Sequence, residues 1–589
     1  MLKRLFFKLL PIQVLIIAMG SINSIVDGAI AGRFIDAASV GVVGLHYTFV
    51  NVIDAVGAIL LGGSSILCGK YMGREELEKT NGLFSLNLSI SFIVGSVLTA
   101  VSLLIPRPLA RMLGASPDLE SALVSYIRGY GFGIVPLIMS KQIAMFLQLE
   151  RKSRIGYAGV AAMILSNIVL DVVFVSLLDM GTFGIAFATS IGNWLYLLIM
   201  LPYYFTRKAQ LSFSFSSIDF SQAWPLLKTG FPGAALIFYL AMRSLCLNII
   251  LLKYAGNDGL SAQGAFGMVC GLIVALCLGI GAVVRMMSSV LEGEGDREGI
   301  RAVMRTALTK AMLMCLVLAV LLVLLSGPIA SVFFSDRDSN VYALTRQLFI
   351  IYSMCLPFIL LIQVFNNYLQ ALGHHLIVNI LSFLDGFLSM VGPSLLLAPS
   401  LGALGVWLSH PIGMFLILVV ILVYACIYNR HFPSSFDDWL FLRPDFGVSE
   451  DDQLEISALC KDDAISASIR VQSFCERHLL PPRICYYAAL STEEMVMNVI
   501  NHGFSADSRS HQVIVRAVFS DEGLLLRIKD DCIPFDPKER YVQLAEDLYG
   551  KNIGIRMVMR LTDDITYQNL LGLNVLTIRF RSESPSLLV

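Results

Sequence analysis

The chain is 589 residues long and 56% hydrophobic, with a mean hydropathy of +0.73 and a formal net charge of −1. That balance points to a polytopic membrane protein rather than a string of soluble domains. The near-neutral charge, with no basic stripe interleaved with aromatics, excludes a nucleic-acid-binding surface.

Met1-Leu2-Lys3-Arg4 and the apolar run behind it imitate a signal peptide. The run is too long, holds Asp27 and is followed by many like it, so it reads as a first membrane span. Stretches of about 20 apolar residues cross a bilayer as helices. Twelve are predicted, near 8–32, 40–68, 84–105, 122–147, 155–178, 183–205, 226–253, 262–290, 306–327, 342–371, 375–398 and 402–427. Alternate connections carry Lys70, Arg74 and Lys79, then Arg151, Lys152 and Arg154, then Arg207, Lys208 and Lys228, then Arg297 and Arg301. Positive charge gathers on the cytoplasmic side. Both termini are therefore expected in the cytosol and the chain in a plasma (inner) membrane. The eleven cysteines form neither a C-x-x-C pair nor a metal-ligand spacing and read as buried or cytosolic thiols.

Leu109-Ala110-Arg111-Met112 after the third span has a counterpart in Ile329-Ala330-Ser331-Val332 after the ninth. Gly184-Ile185-Ala186 opens the sixth span as Gly405-Val406-Trp407 opens the twelfth. One offset of about 220 residues serves both. Two six-helix lobes in the same orientation are implied, an arrangement that sets a substrate cavity between them. The expected division is an N-lobe at 1–206, a Ser-rich linker at 207–225, a C-lobe at 226–427, a second linker at 428–449 and a cytosolic domain at 450–589. The Trp439-Leu440-Phe441 patch of the second linker has two placements open to it, on the lipid surface or against the domain.

An ionisable residue in a span costs about 2.5–3.5 kcal/mol and marks function by default. Asp27 lies in the first span and Asp171 in the fifth, with Asn167 one turn before Asp171 on the same face and Thr189 in the sixth. Two carboxylates, an amide oxygen and a hydroxyl suit a hard cation. They suit equally a proton-binding carboxylate pair, or plain hydrogen-bonded bridges between helices. Val26-Asp27-Gly28 with Gly32-Arg33, Ser166-Asn167-Ile168-Val169-Leu170-Asp171 and Ala188-Thr189 make residues 1–427 similar to the multidrug and toxic-compound extrusion (MATE) family of secondary transporters. The resemblance implies an all-α fold of twelve helices in two lobes and export of amphipathic or xenobiotic small molecules by antiport with H⁺ or Na⁺. It implies an ion site at Asp27, Asn167, Asp171 and Thr189, with Asp27 and Asp171 as metal ligands if the ion is Na⁺. Filling or protonating that site is expected to bend the first helix and release drug outward. Other branches of the family place an acid in the seventh span, where this chain has Arg243 instead; that favours the N-lobe site.

Asp54, Lys141, Arg243, Arg285, Asp385 and His410 also lie inside spans, where they line a cavity or bridge helices. Asp385 in the eleventh span is the first candidate for a substrate-cavity residue, and His410 stands opposite Thr189 in the repeat. Gly63-Ser64-Ser65-Ile66-Leu67-Cys68-Gly69-Lys70-Tyr71 imitates a phosphate loop. It is one residue too long, ends on Tyr71 instead of Ser or Thr, and follows no strand. Gly293-Glu294-Gly295 also follows a span. Neither is expected to bind phosphate.

From about 450 the pattern changes to a strand at 454–459, helices at 463–479 and 484–502, strands at 512–519 and 523–530, a helix near 554–562 and strands at 564–569 and 573–580, an α+β sandwich. Glu494, Asn498 and His502 recur every four residues and share one helix face. That face offers a carboxylate base and an amide oxygen for Mg²⁺, or is simply solvated. Asp530 ends a strand where it can accept from an adenine amino group. Gly550-Lys551-Asn552-Ile553-Gly554-Ile555 opens a helix whose free N–H groups suit phosphate. In this order the elements resemble the GHKL ATPase fold of anti-sigma-factor serine kinases and histidine-kinase catalytic domains, over 450–585. The resemblance implies ATP with Mg²⁺, Glu494 as general base, Asn498 as Mg²⁺ ligand with His502 beside it, Asp530 as adenine reader, Gly550 and Gly554 as phosphate-loop glycines, and Thr577 as a second adenine contact. Cys532 departs from the family, which has glycine there; a β-carbon at that point crowds the adenine.

The expected whole is a cation-coupled exporter whose cytosolic ATP-binding domain regulates it or signals from it. Two rivals use the same residues. One is a sensory serine kinase whose membrane part only detects ligand and whose target is a cytosolic anti-sigma-antagonist-like protein. The other is an ATP-driven pump, against which stand a single nucleotide domain per chain and the lack of a phosphate loop.

Overall fold

The computed structural model describes residues 1–35, 37–113, 117–150, 152–206, 209–334, 336–504, 511–538 and 553–581. The apolar runs form helices, because a segment surrounded by lipid can satisfy its backbone only from within. In order the spans are Leu2–Ile30, Ala37–Gly73, Leu77–Leu104, the bent pair Pro117–Gly131 and Ile134–Leu149, Ser153–Val172, Gly181–Met200, the two arms of Ala223–Gly293, Arg297–Thr306 continued by Met312–Phe333, Asn340–Leu372, His375–Phe383 continued by Ser389–Leu401, and Ala403–Asn429. Among the described residues ten helices are long and apolar enough to cross a membrane, and up to twelve when each of two bent pairs counts as one span.

Gly256 divides Ala223–Gly293. Its φ of 65° with ψ of −162° is accessible to glycine and strained for a residue with a Cβ, so the seventh span turns into the eighth without a loop. The ninth span, expected at 306–327, begins at Arg297. Asp296 caps it there, its carboxylate accepting from Gly299 N at 2.8 Å. Wide π turns interrupt four spans, at Ala31–Ile35, Val173–Leu177, Ala307–Ala311 and Leu384–Leu388. Three of them contain or closely follow Asp27, Asp171 and Asp385, in keeping with the placement of such turns at functional sites.

The lobes touch at one end of the bundle. Lys70 Nζ donates to Glu292 Oε1 at 3.1 Å, and a Cβ added at Gly73 or at Gly293 would fall 2.3 Å from the carbonyl oxygen of Val290 or Lys70. The Trp439-Leu440-Phe441 patch takes neither expected placement. It packs on the ends of the tenth and twelfth spans, with Phe441 stacked on Tyr424 at 5.4 Å, Trp439 tilted over Phe365 at 5.8 Å and Leu440 O accepting from Tyr368 OH at 2.5 Å.

The soluble domain is an antiparallel sheet of β1 (Gln453–Ala458), β2 (Val513–Ser520), β3 (Gly523–Asp530), β4 (Asp564–Leu570) and β5 (Leu573–Arg581), ordered β1-β2-β3-β5-β4. Helices Lys461–Arg477, Pro482–Asn498 and Ile553–Leu561 cover one face. Alternate strand residues such as Val515, Leu526 and Ile578 pack there with Phe474 and Val496. The α+β sandwich expected from the sequence is present, with most element ends within two residues. The sheet's other face lies on the closed end of the helical bundle, and Leu570, Leu571, Leu573 and Val575 join the membrane domain's core.

Candidate functional site

Asp27, Asn167, Asp171 and Thr189 meet inside the N-lobe, each at most 5% exposed. Thr189 Oγ1 donates to Asp27 Oδ2 at 3.3 Å and accepts from Asn167 Nδ2 at 3.1 Å. Tyr126 OH donates to the same Asp27 oxygen at 3.2 Å. The Asp171 carboxyl touches that of Asp27, a contact that becomes a hydrogen bond only when one of them carries a proton. Among the described residues no donor is aimed at four oxygens: Asp27 Oδ1, Asn167 Oδ1 and both of Asp171. Buried polar atoms are nearly always satisfied, and two anions in contact away from water are costly. A proton or a small cation would satisfy such a group, and an all-oxygen donor set is the kind hard cations take.

Asp27, Thr189 and Tyr126 line a cavity of about 150 Å³ together with His46, Asp54, Tyr130, Lys141 and Asn193, whereas Asn167 and Asp171 lie behind its lining. Asp54 and Lys141 are paired with each other at 2.6 Å. His46 packs between Tyr126 and Tyr130, with ring centroids 4.7 and 4.5 Å away. The C-lobe candidates lie elsewhere. Asp385 accepts from Gln363 Nε2 at 3.2 Å, and its main-chain oxygen accepts from Arg243 Nη1 at 3.0 Å, which ties the seventh span to the eleventh. His410 is buried against Tyr352 at 5.2 Å. Neither Asp385 nor His410 is among the residues lining this cavity.

A second cavity, about 220 Å³, opens in the soluble domain beside helix Pro482–Asn498 and strands β3 and β5. Asn498, His502 and Asp530 line it. Glu494 faces the start of helix Ile553–Leu561, where a Cβ added to Gly554 would lie 1.9 Å from Glu494 Oε2, so the helix approaches only because residue 554 has no side chain. Gly550 lies outside the described residues. Asp530 Oδ1 accepts from Cys532 N at 2.9 Å and from Asn574 Nδ2 at 2.6 Å. Cys532 lines the cavity with its sulfur turned toward Gly503, where an added Cβ would meet it at 2.9 Å.

Thr577 does not reach the cavity. On β5 the lining residues Asn574 and Leu576 alternate with Val575 and Thr577, and Thr577 Oγ1 accepts from Arg527 Nε at 3.3 Å on the far face. The expectation of an adenine contact there gives way to strand geometry, since one step along a strand changes the face. Sequence reasoning also missed Tyr126, Asn574 and Tyr567. Tyr126 carries no signal that separates it from an ordinary apolar-span aromatic. Asn574 had one: asparagine is depleted in strands, and here it sits directly opposite Asp530, with Tyr567 OH donating to its Oδ1 at 3.1 Å.

Two family profiles match the sequence. One, described as MatE, covers residues 14–173 and 234–392; the other, a histidine kinase-like ATPase domain, covers 461–580. The probable multidrug resistance protein YoeA of Bacillus subtilis is 21% identical over 415 residues, 69% of this chain and 89% of that protein. The multidrug export protein MepA of Staphylococcus saprophyticus is 22% identical over 278 residues, 44% of this chain and 60% of MepA, so the match spans less than two thirds of that relative. Among solved structures, an outward-facing multidrug resistance MATE family transporter superposes with a TM-score of 0.67 at 19% identity, covering 71% of this chain and 94% of that one. The bent form of the Vibrio cholerae transporter VcmN gives 0.67 at 17% identity, with 75% and 99% covered.

Proposed function

This chain belongs to the MatE family of multidrug efflux transporters, and from that premise we propose that it is an antiporter exporting amphipathic or xenobiotic small molecules in exchange for H⁺ or Na⁺. The observation that carries the reading is the set of four buried oxygens around Asp27 and Asp171 that find no donor among the described residues, beside a polar cavity. A proton or a desolvated cation satisfies them, and its departure leaves two carboxylates in contact. That repulsion links ion occupancy to the packing of the first and fifth spans, both of which carry a π turn just beyond the site. Asp27 and Asp171 carry the exchangeable charge in this reading, while Thr189 and Tyr126 orient Asp27.

The soluble domain is a histidine kinase-like ATPase domain at 461–580. We infer that it binds ATP with Mg²⁺ and regulates the exporter. Asp530, held by Asn574, would take the adenine amino group, Asn498 the metal and Glu494 the role of base; a bound metal would neutralise phosphate charge there. Lys- and Arg-rich connections on alternate sides support a cytosolic position for both termini.

The test is efflux of a fluorescent organic cation from proteoliposomes under a pH or Na⁺ gradient. Wild-type chain should drive efflux under one of the two gradients, and Asp27→Asn should not. Equal flux in both proteins sinks the coupling role given to the chamber.

A further inference from the structure

The sheet face turned away from the nucleotide cavity carries Arg516 on β2, Arg527 and Lys529 on β3 and Arg579 on β5. Arg516 and Arg527 are direct cross-strand partners, an arrangement that destabilises a sheet unless anions offset it. The membrane domain supplies the anions. Arg527 Nη2 donates to Glu75 Oε1 at 3.0 Å, and its Nη1 lies 3.9 Å from Glu294 Oε1. Lys529 Nζ donates to Glu294 Oε2 at 2.5 Å and lies 3.8 Å from Asp296 Oδ2. Arg516 lies 3.7 Å from Asp296 Oδ2 and donates to Gly295 O at 3.2 Å. Arg579 and Thr566 both donate to Glu75 Oε2. Glu75, Glu294 and Asp296 are 3–8% exposed, and Arg516, Arg527 and Lys529 are 4–9% exposed. Charges this dry persist only when matched.

The two acidic turns sit on different lobes. Glu75 follows the second span, and Glu294 and Asp296 follow the eighth, two positions related by the same 220-residue repeat. Among the described residues, Arg527 alone pairs with both. The β4–β5 turn adds a main-chain hydrogen bond: Leu571, at a φ of 55° that is strained for leucine, donates its N–H to Leu149 O at 2.8 Å at the end of the fourth span. On β3 the clamping Lys529 adjoins the cavity-lining Asp530, and on β5 Thr577 follows the cavity-lining Leu576. Any shift of either strand at the cavity would therefore be felt on both faces.

We propose that the ATPase domain is a clamp bridging the repeat-related turns of the two lobes, which holds the bundle shut at that end, and that nucleotide in the cavity sets the clamp's strength. The consequence for export rests on the exporter reading above; the clamp itself does not.

The experiment places spin labels at Lys79→Cys and Glu298→Cys, exposed positions beside the two turns, in full-length chain carrying Cys460→Ser and reconstituted in lipid nanodiscs. The interlobe distance distribution should be narrow without nucleotide and should shift on adding MgATP. In Arg527→Gln/Lys529→Gln it should be broad, extend to longer distances and ignore MgATP. A distribution unchanged by the double substitution overturns the clamp, and a wild-type distribution indifferent to MgATP overturns its control by nucleotide. Glu294→Gln repeats the test from the membrane side, so a misfolded sheet variant, revealed by lost binding of fluorescent ATP, does not end it. In vesicles the double variant should change the efflux rate several-fold and abolish any nucleotide effect. If wild type moves no solute under any gradient, the exporter reading fails, while the distance result still judges the clamp.

Discussion

Carboxylates are buried in two regions of this molecule, in opposite surroundings. In the N-lobe, Asp27 and Asp171 touch each other, and the donors on Asp27 are the hydroxyls of Tyr126 and Thr189. At the domain interface, Glu75, Glu294 and Asp296 face four fixed cations. Burial opposes ionisation of Glu75, yet the Thr577 hydroxyl and the Arg527 and Arg579 guanidiniums hold its pKa below the ordinary carboxylate value. Asp296 is likewise held low against its burial, by Lys529, then Arg516, then the Gly299 N–H. In the proposed reading, acids that face no fixed cation among the described residues leave room for a mobile one; acids that face such cations hold surfaces together.

The sharpest way to break that contrast is to neutralise one member of each region. Asp171→Asn should reduce gradient-driven efflux to the level of protein-free vesicles while leaving ATP binding by the soluble domain intact. Retained efflux would mean the chamber is only a helix bridge. Arg527→Ala strands Glu75 and Glu294 without their shared partner. Removing one side of a buried pair costs about 3–5 kcal/mol, which should appear as faster proteolytic cutting at 428–449 and a lower denaturant midpoint for domain release.

Acidification probes the interface more gently. Carboxyls whose pKa is depressed in the docked state contribute docking stability that is present above their undocked pKa, about 4, and is lost as pH falls through the lower, docked value. Glu75 faces Arg527, Arg579, Thr566 and Thr577, and Asp296 faces Lys529 and Arg516, with Glu455 the nearby acid whose own pKa is raised by burial and by Asp296. The interlobe distance should therefore hold from neutral pH down to the ordinary carboxylate range and widen below it. Widening near neutrality would point to other groups.

The smallest effect separates the two faces of one strand. Thr577→Val should leave affinity for fluorescent ATP unchanged and weaken docking by about 1.5–3 kcal/mol, one hydrogen bond to a charged group. Asn574→Ala, three residues earlier on the cavity face, should do the reverse. A drop in ATP affinity for Thr577→Val would restore it as a nucleotide contact.

Much of this was legible along the chain. Twelve apolar runs have a single low-cost conformation in lipid, and the soluble strands announce themselves by alternation. Asp27, Asn167 and Asp171 stand out because polar groups are rare in such runs. Thr577 was misread because the choice of face depends on an odd or even step from Asp530's partner, and that partner, Asn574, is fixed by the β3–β5 register rather than by composition. The Trp439-Leu440-Phe441 patch was undecided because an apolar triplet in a linker fits lipid and protein surfaces equally well.

By itself the sequence determined the helices, the duplication, the class of the soluble domain and the acids that belong in the N-lobe, all of which follow from local periodicity or from chemistry out of place. Only the tertiary structure decided what Glu294 does. In sequence it sits in a turn that imitates a phosphate loop; in space it is the counter-ion of Lys529, 235 residues away. Charge complementarity between distant surfaces leaves no local pattern, since each half alone looks like an ordinary solvated turn or sheet face.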